Sequence, residues 1–354
     1  METDKTGGVG EMKDCLNYSL KNHNTFGIDA QCDRFLEYSN VQEAQQVAAI
    51  LRSSGCPFLI IGSGSNLLLT KNFEGIVVHS AIKGIACTAS SDDSSSEKGV
   101  YISCGSGETW DDVVDWCTSR GYGNLVNLSL IPGEVGASAV QNIGAYGSEV
   151  GTYISAIHAV EVSSGNVVTI LRDDCEYGYR SSRFKHEWRN RYLITSVVYF
   201  LPTSEPLHVD YGNIREELRL RHIEQPTAAD LRQTIIHIRN AKLPDPKTEG
   251  NAGSFFMNPV VPKEKYLELA ALYPGMPHYT VDASHEKIPA GWMIEQCGWK
   301  GRTIGRAGVH DKQALVLVNR GGASGSEIVS LCEAIRQDVF SRFGIEIFPE
   351  VNII

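Results

Sequence analysis

The chain lacks several features that would define its class at once. None of its nine cysteines stands in a C-x-x-C pair, and their odd number is unlike a disulfide framework. A structural zinc site is disfavoured for the same reason, and no metal is expected. We instead expect reduced cysteines that pack as small apolar side chains in a cytoplasmic protein. No apolar run approaches the roughly 20 residues that cross a bilayer, so no membrane partner is expected.

Positive charge is also scarce. The 354 residues include 32 Lys and Arg against 42 Asp and Glu, which gives a net charge of −10 at pH 7. Because nucleic acids bind to basic surfaces, this balance argues against DNA or RNA as a partner. An anionic substrate would therefore need its cationic contacts concentrated in one place. The length exceeds that of a usual single domain and predicts two or three domains.

Hydrophobic spacing predicts a mixture of helices and strands. Strands are predicted at 35–38 and 57–61, and a helix that starts after Asn40 lies between them, which makes a β-α-β unit. Capping pairs predict three further helices, and alternating apolar residues predict further strands. The pairs are Thr109 with Asp112, Thr227 with Asp230 and Ser324 with Glu327, and the strands are 76–79, 100–104, 155–171 and 192–201. Residues 1–14 are expected to be an unstructured leader and the Ser-rich segment 89–99 an exposed loop.

A glycine-containing turn follows the strand predicted at 57–61. Its residues are Gly62, Ser63, Gly64, Ser65 and Asn66. Glycines at the end of a strand let backbone N–H groups surround an anion such as pyrophosphate. A Rossmann fingerprint would require a third glycine and then a helix, but position 67 is Leu and a strand is predicted there. A Rossmann site is therefore disfavoured, and a plain tight turn remains an alternative.

A second segment, LIPGEVGASAVQNIGAYG at 130–147, is built largely from small residues. Such a segment exposes backbone donors and lets a flat ligand lie close to the chain. Two segments of this kind indicate a large cofactor with a diphosphate, which FAD fits better than a mononucleotide. The candidate cofactor-binding residues of the two segments are Gly62, Ser63, Gly64, Ser65, Asn66, Leu67, Pro132, Gly133, Gly136, Ala137, Asn142, Gly144, Ala145, Tyr146 and Gly147.

Several longer motifs resemble the UDP-N-acetylenolpyruvoylglucosamine reductase family. They are NTFG at 24–27, the turn at 62–66, IPGEVGASAVQNIGAYG, YGYRSSRFK, KLPDPK, GNAGSFFMNP, AGWMIEQCGWKG and PEV at 349–351. The resemblance implies an α+β protein with a two-subdomain FAD-binding domain of the p-cresol methylhydroxylase type and a C-terminal α/β substrate-binding domain. We expect the first subdomain at 20–88 together with 345–354, the second at 89–224, and the substrate-binding domain at 225–344.

The resemblance also implies a reaction of peptidoglycan synthesis in two halves. NADPH as co-substrate reduces FAD, and a hydride then passes from flavin N5 to C3 of the enolpyruvyl group of UDP-N-acetylglucosamine enolpyruvate. Protonation at C2 completes UDP-N-acetylmuramate. Because hydride addition leaves negative charge at C2, the site needs a cation or acid beside the substrate carboxylate and a proton donor over C2.

Residue roles follow from the same resemblance. Arg180 matches the arginine that polarises the carboxylate, Glu350 the acid that assists it, and Ser254 the proton donor. Arg239 is expected at the cofactor, and the expected substrate contacts are Tyr179, Tyr211, Lys242, Asn258, Lys300 and Gln313. One departure is Asn352, where many relatives carry a basic residue, and this puts a charge role at that position in doubt.

Two other interpretations remain open at this point. One is another FAD oxidoreductase with the same cofactor domain, such as a sugar or lactone oxidase, which would not need the pair Arg180 and Glu350. The other is a flavin-binding module without catalysis, against which the intact Ser254 argues. The favoured reading is a monomeric, cytoplasmic reductase.

Overall fold

The computed structural model describes residues 12–89 and 98–354, which form two compact units. The first unit takes in 32–62 and 73–238 together with the chain up to Tyr18. The second takes in 19–31, 63–72 and 239–354. The chain therefore passes between the units several times, and the domain bounds expected from the sequence stay a prediction.

The described residues form twenty strands and eight α-helices. The strands are β1 (Lys13–Ser19), β2 (Gln31–Tyr38), β3 (Phe58–Ile61), β4 (Leu67–Leu68), β5 (Phe73–Ser80), β6 (Ile85–Ala89), β7 (Gly99–Gly105), β8 (Gly144–Ala145), β9 (Ser148–Glu149), β10 (Ile154–Glu161), β11 (Val167–Leu171), β12 (Tyr192–Pro202), β13 (Gly250–Asn251), β14 (Val260–Pro262), β15 (Tyr279–Thr280), β16 (His285–Lys287), β17 (Thr303–Ile304), β18 (Ala307–Val309), β19 (Leu317–Asn319) and β20 (Asn352–Ile353). The helices are α1 (Val41–Ser54), α2 (Trp110–Thr118), α3 (Val135–Gln141), α4 (Ile214–Leu220), α5 (Ala228–Lys242), α6 (Lys263–Leu272), α7 (Ala290–Gln296) and α8 (Gly325–Phe343).

The first unit begins with a sheet in the order β1-β2-β5-β3. Strands β2 and β3 both pair in parallel with β5, and α1 connects β2 to β3. The Asn40 side chain accepts a hydrogen bond from the backbone N–H of Glu43, which caps α1 as expected. Ala44, Val47 and Ala48 of α1 are fully buried against the sheet. The predicted β-α-β unit is therefore confirmed.

The other sheet of this unit is antiparallel, in the order β11-β10-β12-β7-β6. Its core includes Trp110 of α2, which is fully buried, meets Tyr199 edge to face and donates its indole N–H to the carbonyl of Leu128 at 2.9 Å. Burying an aromatic ring of this size stabilises the fold by about 3 kcal/mol. Helix α2 begins after Thr109 as predicted, but the predicted side-chain cap is wrong, because the Thr109 side chain makes no capping bond. The first N–H of the helix donates to the carbonyl of Gly133.

The second unit contains an antiparallel sheet in the order β13-β19-β18-β17 and a smaller one in the order β14-β16-β15. Strand β20, close to the end of the chain, pairs in parallel with β4. Helix α8 has the predicted capping box of Ser324 and Glu327 in both directions. The apolar stripe predicted for α8 is buried. The helix is followed by Gly344, a C-terminal cap with φ of +63°.

The expected leader and the expected Ser-rich loop lie mainly outside the described residues. Residues 1–11 of the expected leader lie outside the described residues, whereas Lys13 and Asp14 belong to β1. Asp14 forms an ion pair with Arg34 of β2 at 2.6 Å. The expected loop at 89–99 also lies almost wholly outside the described residues, and Gly99 begins β7. No helix in the described part of the chain combines the length and apolar character needed to cross a bilayer.

Candidate active site

Backbone pairing brings the segments of Ser254 and Glu350 together in the second unit. The N–H of Glu350 donates to the carbonyl of Phe255 at 2.8 Å, and the N–H of Met257 donates to the carbonyl of Phe348 at 3.0 Å. Phe256 and Pro349 form an antiparallel bridge between these two bonds. The side chains of Phe255 and Phe256 are buried, and their packing holds the paired backbone in place. Two of the three predicted catalytic residues thus share one local framework, with Ser254 exposed and Glu350 half-buried.

The turn that precedes Ser254 is shaped by Asn251, a buried residue. Its amide nitrogen donates to the carbonyl of Glu249 at 2.8 Å, and its amide oxygen accepts from the N–H of Gly253 at 2.9 Å. Gly253 has φ of +69°, which favours glycine, and a Cβ at Gly250 would lie 2.3 Å from the carbonyl oxygen of Phe26. Turn geometry and close backbone packing therefore explain the small residues before Ser254.

The first glycine turn holds the C-terminal segment on which Glu350 lies. The Asn66 amide nitrogen donates to the carbonyl of Glu350 at 3.3 Å. The Asn66 carbonyl in turn accepts from both the backbone N–H and the side-chain amide of Asn352, each at 3.1 Å. Asn352 therefore acts through hydrogen bonding at the position where a basic residue was expected. A Cβ at Gly64 would lie 2.0 Å from the carbonyl oxygen of His23, so this turn also needs glycine.

Three of the predicted substrate contacts surround helix α7. The Asn258 side-chain oxygen accepts from the N–H of Ala290 at 2.9 Å, at the first residue of this helix. The Gln313 side-chain oxygen would lie 3.3 Å from a Cβ at Gly291. Lys300 pairs with Glu295 of the same helix at 2.9 Å. Elsewhere in this unit, Arg239 is half-buried and Lys242 exposed at the end of α5.

In the first unit, Arg180 lies in an unusual turn. Gly178 and Ser181 exchange two backbone hydrogen bonds of 3.0 Å, so Tyr179 and Arg180 are the central residues. Arg180 has φ of +52°, a left-handed conformation that usually belongs to Gly or Asn at this position. Its guanidinium donates to the carbonyl of Gly144 and lies 5.3 Å from the centre of the Tyr179 ring. A non-glycine residue stays in this region only where its surroundings fix it.

Asn142 holds this turn in place. Its side chain, only 1% exposed, donates to the carbonyl of Gly178 and to the carboxylate of Glu149, both at 2.8 Å. It also accepts from the N–H of Gly151 at 2.9 Å. Because both N–H groups of the buried amide are donated to the protein, the cofactor contact predicted for Asn142 cannot use them as donors.

The second glycine segment also lies next to these groups. A Cβ at Gly144 would lie 2.6 Å from a guanidinium nitrogen of Arg180 and 2.8 Å from the backbone carbonyl oxygen of Ser148, so this position needs glycine. A Cβ at Gly147 would lie 3.2 Å from the ring of Tyr211, which is exposed. Arg180, Tyr179 and Tyr211 are thus gathered around residues 144–147, as a site for one ligand would require.

The residues present fit a bound dinucleotide. The first glycine turn begins where β3 ends, at the edge formed by the carboxyl ends of parallel strands, where α/β sheets bind ligands. Its serine hydroxyls, its asparagine amide and the glycine backbone supply neutral donors of the kind that hold phosphate oxygens. In the second segment, a Cβ at Gly136 would lie 3.0 Å from that of Ser106, which shows how closely this backbone packs.

Comparison with known proteins agrees with these features. A family model described as an FAD-binding domain matches residues 33–170, and one described as the C-terminal domain of UDP-N-acetylenolpyruvoylglucosamine reductase matches 245–354. The UDP-N-acetylenolpyruvoylglucosamine reductase of Bacteroides fragilis is 49% identical over 337 residues, which cover 95% of this chain and 99% of the relative. The chain belongs to the UDP-N-acetylenolpyruvoylglucosamine reductase family. The reductase of Flavobacterium johnsoniae is 42% identical over 96% of this chain and 98% of its own.

A solved structure of this reductase family has the same fold. The enzyme from Thermus caldophilus aligns with a TM-score of 0.63 at 18% identity, covering 97% of this chain and 98% of its own. The predicted family, the predicted fold class and FAD as cofactor are therefore confirmed. The assignment to this reductase family leaves the oxidase-like and non-catalytic interpretations without support.

Sequence reasoning missed two residues that shape the site. Asn251 could have been found, because an asparagine two residues before glycine is typical of a side-chain-stabilised turn. Asp111 could not have been found from its motif. Its carboxylate accepts from the N–H of Leu130, a left-handed residue with φ of +57°, at 2.5 Å, and receives two bonds from Arg232. This pairing depends on the tertiary fold.

Proposed function

We propose that this member of the reductase family uses NADPH to reduce the enolpyruvyl group of UDP-N-acetylglucosamine enolpyruvate, in the cytoplasm and as a monomer. The observation that carries the proposal is the backbone ladder that joins the segments of Ser254 and Glu350. Bound FAD supplies hydride transfer in this reaction. The work of the protein is then to hold the substrate carboxylate, stabilise the charge that forms beside it and deliver one proton.

Arg180 is proposed to bind the substrate carboxylate. A planar guanidinium holds a carboxylate through two parallel hydrogen bonds, which fixes both position and orientation. The left-handed turn and the packing on Gly144 restrict the arginine before the substrate arrives. Such preorganisation favours stabilisation of the enolate-like charge, because little reorganisation remains at the moment of reaction.

Ser254 and Glu350 are proposed to complete the proton chemistry. Ser254 ends the turn shaped by Asn251, and its exposed side chain is available to a ligand. A serine hydroxyl is a weak acid, so it needs a neighbour that stabilises the oxygen left behind. Glu350 in its protonated form would donate to the substrate carboxylate and increase the polarisation started by Arg180.

The nucleotide part of the substrate is assigned to the groups around α7 and the end of α5. Lys242 and Lys300 bring positive charge for the diphosphate in a protein of net charge −10. Asn258 and Gln313 bring neutral amides, and Tyr211 an exposed ring. The candidate cofactor residues of the two glycine segments, together with Arg239, are proposed to hold FAD.

The test separates the two halves of the reaction. In Ser254→Ala, flavin reduction by NADPH should proceed as in the wild type, whereas substrate reduction should slow at least about a hundredfold because the proton donor is lost. Ser284→Ala, an exposed turn serine of the same unit, is the matched control and should change neither rate. Stopped-flow absorbance of the flavin reports both steps. Equal losses in both halves would refute the role of Ser254 as proton donor.

A further inference from the structure

A group of three charged residues, Glu37, His79 and Glu134, lies at the carboxyl end of the inner strands of the first sheet, and the proposed reaction does not use it. Glu37 of β2 lies opposite His79 of β5, and His79 lies opposite Ile61, the last residue of β3. The His79 ring nitrogen Nδ1 lies 2.8 Å from Glu37, and Nε2 lies 3.1 Å from both carboxylate oxygens of Glu134. His79 is only 8% exposed. The ring is therefore enclosed between two carboxylates.

This arrangement requires a charged ring. A neutral imidazole has one N–H and could donate to only one of the two carboxylates, whereas an imidazolium donates to both. Burial disfavours the charge, but the hydrogen bonds to Glu134 and Glu37 outweigh it and raise the pKa of His79 to about 9. The other titratable groups nearby are Lys13 and Tyr18 of β1, beside Glu37, and Tyr38 of β2, beside Glu134.

Glu134 connects this group of charged residues to Gly62 and to the second glycine segment. It is the residue before α3, inside the second segment. One of its carboxylate oxygens would lie 3.1 Å from a Cβ at Gly62, the first residue of the first glycine turn. Ala137 of the second segment would lie 3.0 Å from the same Cβ. The charge on His79 thus fixes the carboxylate that packs against Gly62 within the first unit.

We propose that the His79 imidazolium is a positioning group that holds Glu134, and with it the start of the second glycine segment, against Gly62 in the arrangement that binds the FAD diphosphate. The inference rests on the proposed FAD contacts of Gly62 and of the second segment. When His79 loses its proton, one of the two carboxylates loses a donor, and the half-buried negative charges of Glu37 and Glu134 lose the positive charge between them. Glu134 then moves away from Gly62, and the start of the second segment moves with it.

The sign of the pH dependence follows. Folding raises the pKa of His79 from about 6.5 to about 9. The ion pairs of His79 with Glu37 and Glu134 are therefore fully formed below pH 6.5 and are lost as the pH rises through about 9. FAD affinity should fall over the same range.

The test measures FAD retention by the full-length holoprotein. Free FAD, detected by its fluorescence after dilution, gives the FAD dissociation constant between pH 6.5 and 9.5. For the wild type, this constant should rise about tenfold across that range. In His79→Gln it should be raised already at pH 6.5 and should stay flat. His158→Gln, at a half-buried histidine of the same unit that pairs with the Thr169 hydroxyl, should follow the wild type.

A second variant separates positioning by charge from plain packing. Glu37→Gln keeps His79 but removes one carboxylate, so the midpoint of the FAD transition should move to lower pH. An unchanged midpoint in Glu37→Gln, or a His79→Gln protein that retains FAD with the wild-type profile, would overturn the inference. Failure of the proposed proton chemistry would alter substrate reduction and leave FAD retention untouched, so the two outcomes are distinguishable.

Discussion

Removal of the Asn142 side-chain amide should slow substrate reduction only through its effect on the conformation of Arg180. The informative change is Asn142→Gly, because Asn142 has φ of +46° and glycine keeps this backbone while deleting the side chain. The variant loses the bonds to Gly178, Glu149 and Gly151 that fix the turn. Arg180 is then free to leave its left-handed conformation.

The size of the effect follows from that conformation. A left-handed residue other than glycine costs about 1–2 kcal/mol relative to the right-handed region. Without the amide, the competent form of Arg180 should become the minor one, and kcat/KM for the enolpyruvyl substrate should fall about 5-fold to 30-fold, since 1.4 kcal/mol is about tenfold. Asn190→Gly, at another left-handed asparagine of the same unit that donates to the carbonyl of Phe58, is the matched control.

The assay is a double-mutant cycle on the substrate half-reaction. Asn142→Gly is measured in the wild-type background and in Arg180→Ala. If the amide acts through the arginine, it should add nothing once Arg180 is absent. The substrate half-reaction should also suffer more than flavin reduction by NADPH. Losses that multiply in the double variant, or an equal loss in Asn190→Gly, would refute this reasoning.

Two further predictions concern arginines. Arg180→Lys should lower the rate of substrate reduction at least about tenfold, because lysine cannot form two parallel bonds to a carboxylate; near-native rates in stopped-flow would contradict this. Arg232→Ala should lower the free energy of unfolding in urea by about 1.5–3 kcal/mol, because the charge-assisted hydrogen bonds of the buried guanidinium to Asp111 and Asp115 are lost. Arg215→Ala, at an exposed pair with Asp210, should cost less than about 1 kcal/mol, and similar losses in both variants would contradict the assignment.

Local signals in the sequence were sufficient for much of the fold. The capping box of Ser324 and Glu327, the cap at Asn40 and the periodicity of α1 all depend on residues within one or two helical turns. The same kind of pair predicted the start of α2 at Thr109 but not its side-chain capping bond, which is absent. The first N–H of this helix bonds to the carbonyl of Gly133, a partner from a distant segment that the local pattern does not contain.

The candidate site was predictable as a set of residues and not as an arrangement. Motifs singled out Ser254 and Glu350, but their shared ladder depends on strand pairing between segments far apart in the chain. No feature of the sequence around Arg180 indicates a left-handed backbone, so this conformation became known only from the structure. His79 belongs to no sequence motif, and the role proposed for it depends on its contact with Glu134, which only the structure shows.

The bonds among Asn66, Glu350 and Asn352 have a consequence for how this family can change. Asn66 belongs to the turn proposed to bind FAD, whereas Glu350 is proposed for the proton chemistry, and the Asn66 side-chain amide connects the two segments. A replacement at 352 removes the side-chain bond to the Asn66 carbonyl and so acts on the cofactor turn. Because both side-chain bonds end on backbone carbonyls, either asparagine can be replaced in a relative without requiring a change at the other position.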